Sequence, residues 1–203
     1  HIGVGGMGLN DLKAISSHKS VEVSALCDVD SKLLNQALKL FPKAKIFRDY
    51  RVLLNNLDNE IDAVIISTPD HTHGPASIMA MKKGKAVYCQ KPLTNNVFEA
   101  REMSKLSVQK KLVTQMGIQV HSFYDYKLAK LLIQDGIVGK IHTVRAWSPK
   151  NWGFDGKLPK KEDDIPKNLD WNLWLGTSPY KNYLENQYHQ YNWRKMIGFG
   201  CGT

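Results

Sequence analysis

The chain reads first as an alternation. Short apolar runs at residues 2–4, 21–27, 46–47, 63–67, 86–89 and 112–115 are separated by stretches whose apolar residues recur at helical spacing. Those stretches cover residues 9–17, 31–40, 50–54, 75–83 and 96–109. Runs rich in β-branched residues, joined by helical crossovers, predict a doubly wound α/β fold: a parallel sheet with helices on both faces. Ser31 and Asn96 stand where N-caps are needed, and Gly84 where a helix should stop. After Gly117 the character changes. The pattern predicts a helix over 124–135, ended by Gly136, and a strand over 141–147. From Ser148 to Ile197, Trp, Tyr, Asn and Pro crowd together with little periodicity, which reads as long loops of a second domain.

At 203 residues, with 42% hydrophobic residues, the chain can bury a substantial core. Its net charge of +9 raises the question of nucleic acid or an anionic membrane surface. The lysines, however, are scattered over predicted helix faces. The densest pair, Lys160 and Lys161, is answered at once by Glu162, Asp163 and Asp164. We therefore expect neither nucleic acid nor membrane as a partner, and a basic field suited at most to an anionic small molecule. No apolar run reaches membrane-spanning length. Cys27, Cys89 and Cys201 lie far apart without metal-ligand spacing, as expected of a reduced, cytoplasmic protein.

Three local patterns carry chemistry. The first is Gly3-Val4-Gly5-Gly6-Met7-Gly8, a GxGxxG that leaves a strand and opens a helix. Gly3 permits the tight turn, Gly5 lets the backbone approach a pyrophosphate, Gly8 allows close helix packing, and the helix N-terminus offers free N–H groups. Asp28 follows the second strand, where a carboxylate accepts from the adenosine ribose hydroxyls and repels a 2′-phosphate. The alternative is that Asp28 only starts a turn or caps the next helix. With Asp30 close by and no arginine directly after it, NAD is favoured over NADP.

The second pattern is Ser67-Thr68-Pro69-Asp70-His71-Thr72-His73, at the end of the fourth strand, where open parallel sheets bind ligands. His71 and His73 invite a metal reading, but no third ligand stands at convincing spacing, so no metal is expected. A turn lining the nicotinamide side of the cofactor, with Thr68, Pro69, His71 and His73 near it and Asp70 or Thr72 as helix cap, is preferred. The third is Cys89-Gln90-Lys91-Pro92, which sets Lys91 at the carboxyl edge of the sheet. Near an oxidised nicotinamide and partly desolvated, that ammonium should be destabilised and so fitted to exchange a proton with a substrate hydroxyl. A solvated lysine before a helix is the plain alternative. The proline after it rigidifies the turn, whether cis or trans.

These patterns in this order resemble the glucose-fructose oxidoreductase, inositol dehydrogenase and MocA family. So do Gln115-Met116-Gly117-Ile118-Gln119, similar to the family's Q-M-G-N-Q, Asn192-Trp193-Arg194, similar to its N-W-R, and the run from Gly198 to Thr203. The resemblance implies a Rossmann domain over 1–118 followed over 119–203 by the first part of an α+β substrate and dimerisation domain. It implies hydride transfer between nicotinamide and a secondary alcohol of a sugar, inositol or related polyol, with Lys91 in proton transfer and Gln90 beside it at the cofactor. Gln90 stands where the family most often has glutamate. The family's G-D-x-x-x-H would begin beyond Thr203, and the opening at His1, just before the glycine motif, suggests a segment before it. The piece alone is therefore expected to be inactive, and the full-length protein to be a homo-oligomer. Gln119, His121, Trp152, Trp193 and Arg194 are the candidates for a sugar cleft, because aromatic faces and fork-shaped donors suit sugars. Against this stand core packing for Trp193, a structural ion pair for Arg194 and a helix-start role for His121. Two other functions fit the same residues. One is a glycoside hydrolase or lyase that oxidises its sugar transiently on bound NAD; the other is a non-catalytic NAD-binding regulator.

Overall fold

The computed structural model of the chain describes residues 1–154, 156–157 and 162–202. Lys160, Lys161 and Thr203, which entered the charge and glycine-run arguments, lie outside the described residues. The first half follows the predicted alternation in the order α1 Met7–Ser16, β1 Ala25–Cys27, α2 Ser31–Leu40, β2 Lys45–Phe47, α3 Tyr50–Asn56, β3 Ala63–Ile66, α4 Asp70–Lys82, β4 Ala86–Gln90, α5 Val97–Gln109 and β5 Thr114–Gly117. All paired strands are parallel: β1 lies beside β2, and β3, β4 and β5 run in that order.

Ile2 joins the two groups. It bridges Cys27 on one side and Ile66 on the other, with Gly3 N donating to Cys27 O and Ser67 N to Ile2 O, both at 2.8 Å. The chain thus winds outward in both directions from Ile2, and the crevice at the carboxyl ends beside such a reversal is where open α/β sheets bind ligands. Alternation along β1 separates two apolar layers. Ala25 and Cys27 pack with Leu53 and Leu54 of α3, Ala76 and Ala80 of α4 and Met103 and Leu106 of α5, whereas Leu26 packs with Leu12 of α1 and Leu34 and Ala37 of α2.

Local capping departs from expectation at two helices. Asp30, not Ser31, caps α2: its carboxylate accepts from Lys32 N at 2.8 Å, reaching two residues on as N-caps do. Helix α4 begins at Asp70, before Pro75, so the proline lies inside the helix and neither Asp70 nor Thr72 caps it through a side chain. The first-turn amide of His71 donates instead to Phe199 O, 3.2 Å away. Asn96 caps α5 through Glu99 N, and Gly84, with φ of 78°, follows the end of α4.

The second half differs more. Helix α6, Tyr124–Gln134, forms after a 3-10 turn at Gln119–Ser122. No strand follows β5 among the described residues, and the expected strand over 141–147 leaves Val144 and Trp147 more than four-fifths exposed. β-propensity alone cannot make a strand without a ladder partner. The aromatic-rich stretch, read as loops, instead builds a core. Around α7, Trp171–Leu175, and a 3-10 turn at Asn192–Lys195, the residues Trp171, Trp174, Tyr183, Tyr188, Trp193 and Phe199 bury together. Trp171 and Trp174 stack at 4.7 Å, and Phe199 meets Trp174 edge-on at 4.9 Å. Val29 packs against this cluster, and Leu169 bridges Asp30, which joins it to the sheet edge.

Candidate functional site

A cleft of about 580 Å³ runs along the carboxyl ends of the strands, between the glycine turn and the aromatic cluster. That volume suits a cofactor-sized ligand. Its floor is Gly3, Gly5, Gly6 and Met7. Gly3 has φ of 83°, and a Cβ on Gly8 would lie 2.0 Å from Gly3 O, so the turn and α1 meet at a distance only glycine allows. No side chain caps α1, and within the turn Gly8 N donates to Gly5 O at 2.9 Å. The glycine floor and uncapped helix end fit the phosphates of a dinucleotide.

At one end of the cleft Asp28 uses both oxygens: Oδ2 accepts from Val4 N at 2.8 Å and Oδ1 from Asp30 N at 2.9 Å. Burial pushes its carboxyl pKa up, opposed by those two amides. A carboxylate has about four lone-pair sites, so room remains for ribose hydroxyls. Arg48, Tyr50 and Arg51 share this end. Sequence reading missed them because they arrive from the next crossover. Arg48 donates to Val29 O and to Asn168 O, the latter at 3.2 Å, and Arg51 is paired with Asp49 at 2.7 Å.

At the other end lie Thr68, Pro69, Asp70, His73, Gln90 and Lys91. His73 is buried, with Nδ1 2.6 Å from Pro92 O and Nε2 2.8 Å from Thr68 O, so one ring clasps the turn after β3 to the turn after β4. The Lys91–Pro92 peptide is cis. Lys91 stands exposed on the cleft wall, so the protein's own walls do not supply the partial desolvation expected of it. Gln90 is buried and donates to Asp11 of α1. Asp70 is 5% exposed and accepts from Cys201 N at 3.1 Å. Burial pushes its carboxyl pKa up, against the pull of that amide and of the charges on His73, Lys91 and Arg194.

The structure separates the remaining candidates. His71 turns away from the cleft: Nε2 lies 2.9 Å from Trp174 O, and the ring packs on Phe199 at 5.1 Å. Among the described residues no group of three or more His, Cys, Asp or Glu stands as a metal-ligand set. His121 is exposed, outside the cleft, and stacked on Tyr126. Gln119, Trp152, Trp193 and Arg194 do line the cleft, Gln119 reaching the Met7 sulfur at 3.2 Å. Trp193 is also core, 7% exposed. The Arg194 guanidinium is caged by Trp193, Tyr191 and Trp152 at 4.6, 5.3 and 5.7 Å from their ring centroids. His189 and Tyr191, which sequence reading passed over, complete that wall.

A family model described as an oxidoreductase family with an NAD-binding Rossmann fold matches residues 1–118, and that family's C-terminal α/β domain matches residues 116–202. Inositol 2-dehydrogenase of Rhodococcus jostii is 30% identical over 167 residues, covering 79% of this chain and 45% of that protein. A glycosyl hydrolase family 109 protein of Shewanella pealeana is 28% identical over 149 residues, 69% of this chain and 32% of the relative. The crystal structure of myo-inositol 2-dehydrogenase from Lactobacillus plantarum superposes with a TM-score of 0.64 at 28% identity, covering 69% of this chain and 41% of that one. The chain spans less than half the length of these relatives. With its glycine turn, strand-end lysine and reversal point at Ile2 in one cleft, and both family models matched in order, the chain belongs to the Gfo/Idh/MocA oxidoreductase family.

Proposed function

We propose that the full-length protein is an NAD-dependent oxidoreductase that moves a hydride between nicotinamide and a secondary alcohol of a sugar, inositol or related polyol. Residues 1–118 would serve as the cofactor domain and 119–203 as the opening of the substrate domain. The observation that carries this is the sharing of one cleft by the glycine turn, Asp28, Lys91 and the Arg194 cage. The relatives named as inositol dehydrogenases support a polyol substrate. Three unbridged cysteines fit a reducing compartment, and we place the activity in the cytoplasm.

When bound, the dinucleotide supplies or accepts the hydride. The glycine turn and the N-terminus of α1 would hold its phosphates, and Asp28 its adenosine ribose. NAD is favoured over NADP because Asp28 repels a 2′-phosphate while Arg48 and Arg51 are already committed to carbonyls and to Asp49. In the oxidative direction Lys91 Nζ, as the neutral amine, would take the proton of the substrate hydroxyl as the carbonyl forms; in reduction the resulting ammonium would return that proton to the alcohol oxygen. Arg194, held by the rings of Trp152 and Tyr191, would present its guanidinium to hydroxyls of the sugar.

A second reading is a glycoside hydrolase that oxidises and re-reduces its sugar on retained NAD. The relative named as a glycosyl hydrolase favours it. One assay separates the two: full-length protein with NAD and a panel of polyols and glycosides, followed by reduced-nicotinamide absorbance and by glycoside cleavage. Accumulating NADH, lost by about 10²- to 10⁴-fold in Lys91→Ala, supports the dehydrogenase. Cleavage without net NADH supports the hydrolase, and neither product from any substrate overturns both.

A further inference from the structure

The second half of the chain touches the glycine turn at Tyr191. Its phenolic oxygen comes so near Gly6 that a Cβ built there would lie 2.3 Å from it. Gly6, with φ of 51°, immediately precedes α1, whose N-terminus has no side-chain cap. The hydroxyl therefore overhangs the amide-rich turn that would receive the dinucleotide's phosphates, an assignment that rests on the dinucleotide reading above.

Three features hold it there. Tyr191 has φ of 71°, a left-handed conformation uncommon for an aromatic residue and kept only where surrounding contacts impose it. Arg194 Nη1 donates to Tyr191 O at 3.1 Å, and the same guanidinium stacks on the Tyr191 ring. Beyond it Trp152 and Trp193 complete the cage, so the ring is backed by a fixed cation. Tyr191 remains about half exposed on the cleft side.

We propose that Tyr191 is a phosphate-contacting residue whose hydroxyl donates a hydrogen bond to the dinucleotide pyrophosphate above Gly6, with Arg194 positioning its ring. The contact links the second half of the chain to the Rossmann turn through the cofactor itself. A phenol suits the task because it donates without adding a charge, and a hydrogen bond to an anionic acceptor is stronger than one between neutral groups.

The test is binding of NADH, ADP-ribose and adenosine to the full-length protein by fluorescence titration, for wild type, Tyr191→Phe and Tyr191→Ala. Tyr191→Phe keeps the ring and its stacking on Arg194 and removes only the donor. The expected result is a Kd raised roughly 10- to 100-fold for NADH and ADP-ribose, which carry the pyrophosphate, and unchanged for adenosine, which lacks it. Equal weakening toward adenosine would mark a merely structural role and overturn the proposal. So would an unchanged Tyr191→Phe, or tighter binding by Tyr191→Ala, which would make the ring an obstruction. If wild type binds ADP-ribose but Tyr191→Phe is unaffected, the dinucleotide reading survives alone; if wild type binds neither dinucleotide ligand, both fall.

Discussion

Gln90 donates its side-chain amide to the Asp11 carboxylate across 2.8 Å, and the same Asp11 oxygen accepts the Ser67 hydroxyl at 2.7 Å. One carboxylate on α1 thereby ties together the ends of β3 and β4, directly beneath Lys91. Gln90 supplies the donor that the Asp11 carboxylate accepts from. Gln90→Glu would set two carboxylates within hydrogen-bond distance in a site that is 6% exposed. The variant should lose about 1–3 kcal/mol at neutral pH. The new carboxyl has a raised folded-state pKa, so the loss should shrink as pH falls through that value. Urea unfolding across pH checks this, and adding Asp11→Asn should restore stability; no rescue would refute the pairing argument.

Asp30 holds the two halves together. It caps α2 and accepts from Asn168 Nδ2 at 2.8 Å and from His189 Nε2 at 3.1 Å. Burial raises its pKa, but these hydrogen bonds together outweigh burial and leave the carboxyl below its ordinary value. The stability it contributes is thus present above the unfolded carboxylate pKa and is lost as pH falls through the lower folded value. Asp30→Ala should cost about 2–4 kcal/mol at neutral pH, combining a lost cap with two lost side-chain partners. Denaturant melts between neutral and acidic pH should show the difference from wild type narrowing only in strong acid.

His73 connects fold to chemistry. With a carbonyl against each ring nitrogen, it fixes the turn that presents Lys91. His73→Ala removes the ring packed between Pro92 O and Thr68 O, together with the N–H it donates to one of them, and should destabilise the protein by roughly 2–4 kcal/mol. If the full-length protein has the activity proposed above, the substitution should lower kcat more than it raises KM, since Lys91 is displaced while the glycine turn is untouched. An unchanged kcat would show that the clasp does not position the lysine.

Two glycines of the same turn should behave differently. A Cβ on Gly8 meets the backbone oxygen of Gly3, whereas one on Gly5 meets the Leu33 side chain at 2.5 Å, whose end can move. Gly8→Ala should therefore unfold the domain or cost several kcal/mol, as overpacking against backbone does. Gly5→Ala should fold with a nearly unchanged melting temperature and lose dinucleotide affinity instead. Thermal melts paired with ADP-ribose titration distinguish the two effects.

What was legible in the sequence was whatever is encoded locally. Helix and strand periodicity is a property of neighbouring residues, so α2, α5, α6, β3 and β4 fall within a few residues of expectation. Asn96 reads correctly as a cap because a cap needs only its own next turn. Asp30 was harder: Ser31 beside it is an equally good cap by type, and the choice was made by Asn168 and His189, more than a hundred residues away. Likewise α4 could start before Pro75 because Phe199 O receives the His71 amide.

The sequence by itself determined the parallel α/β layers, the glycine turn and the placing of Lys91 at a strand end, because each follows from spacing along a few consecutive residues. Only the tertiary structure decided that His71 faces a tryptophan core rather than the cleft, that residues 141–147 make no strand among the described residues, and that the aromatic stretch packs as a core. It alone brought Arg48, His189 and Tyr191 to the cleft. Burial and long-range hydrogen bonding assign those roles, and neither leaves a period in the chain.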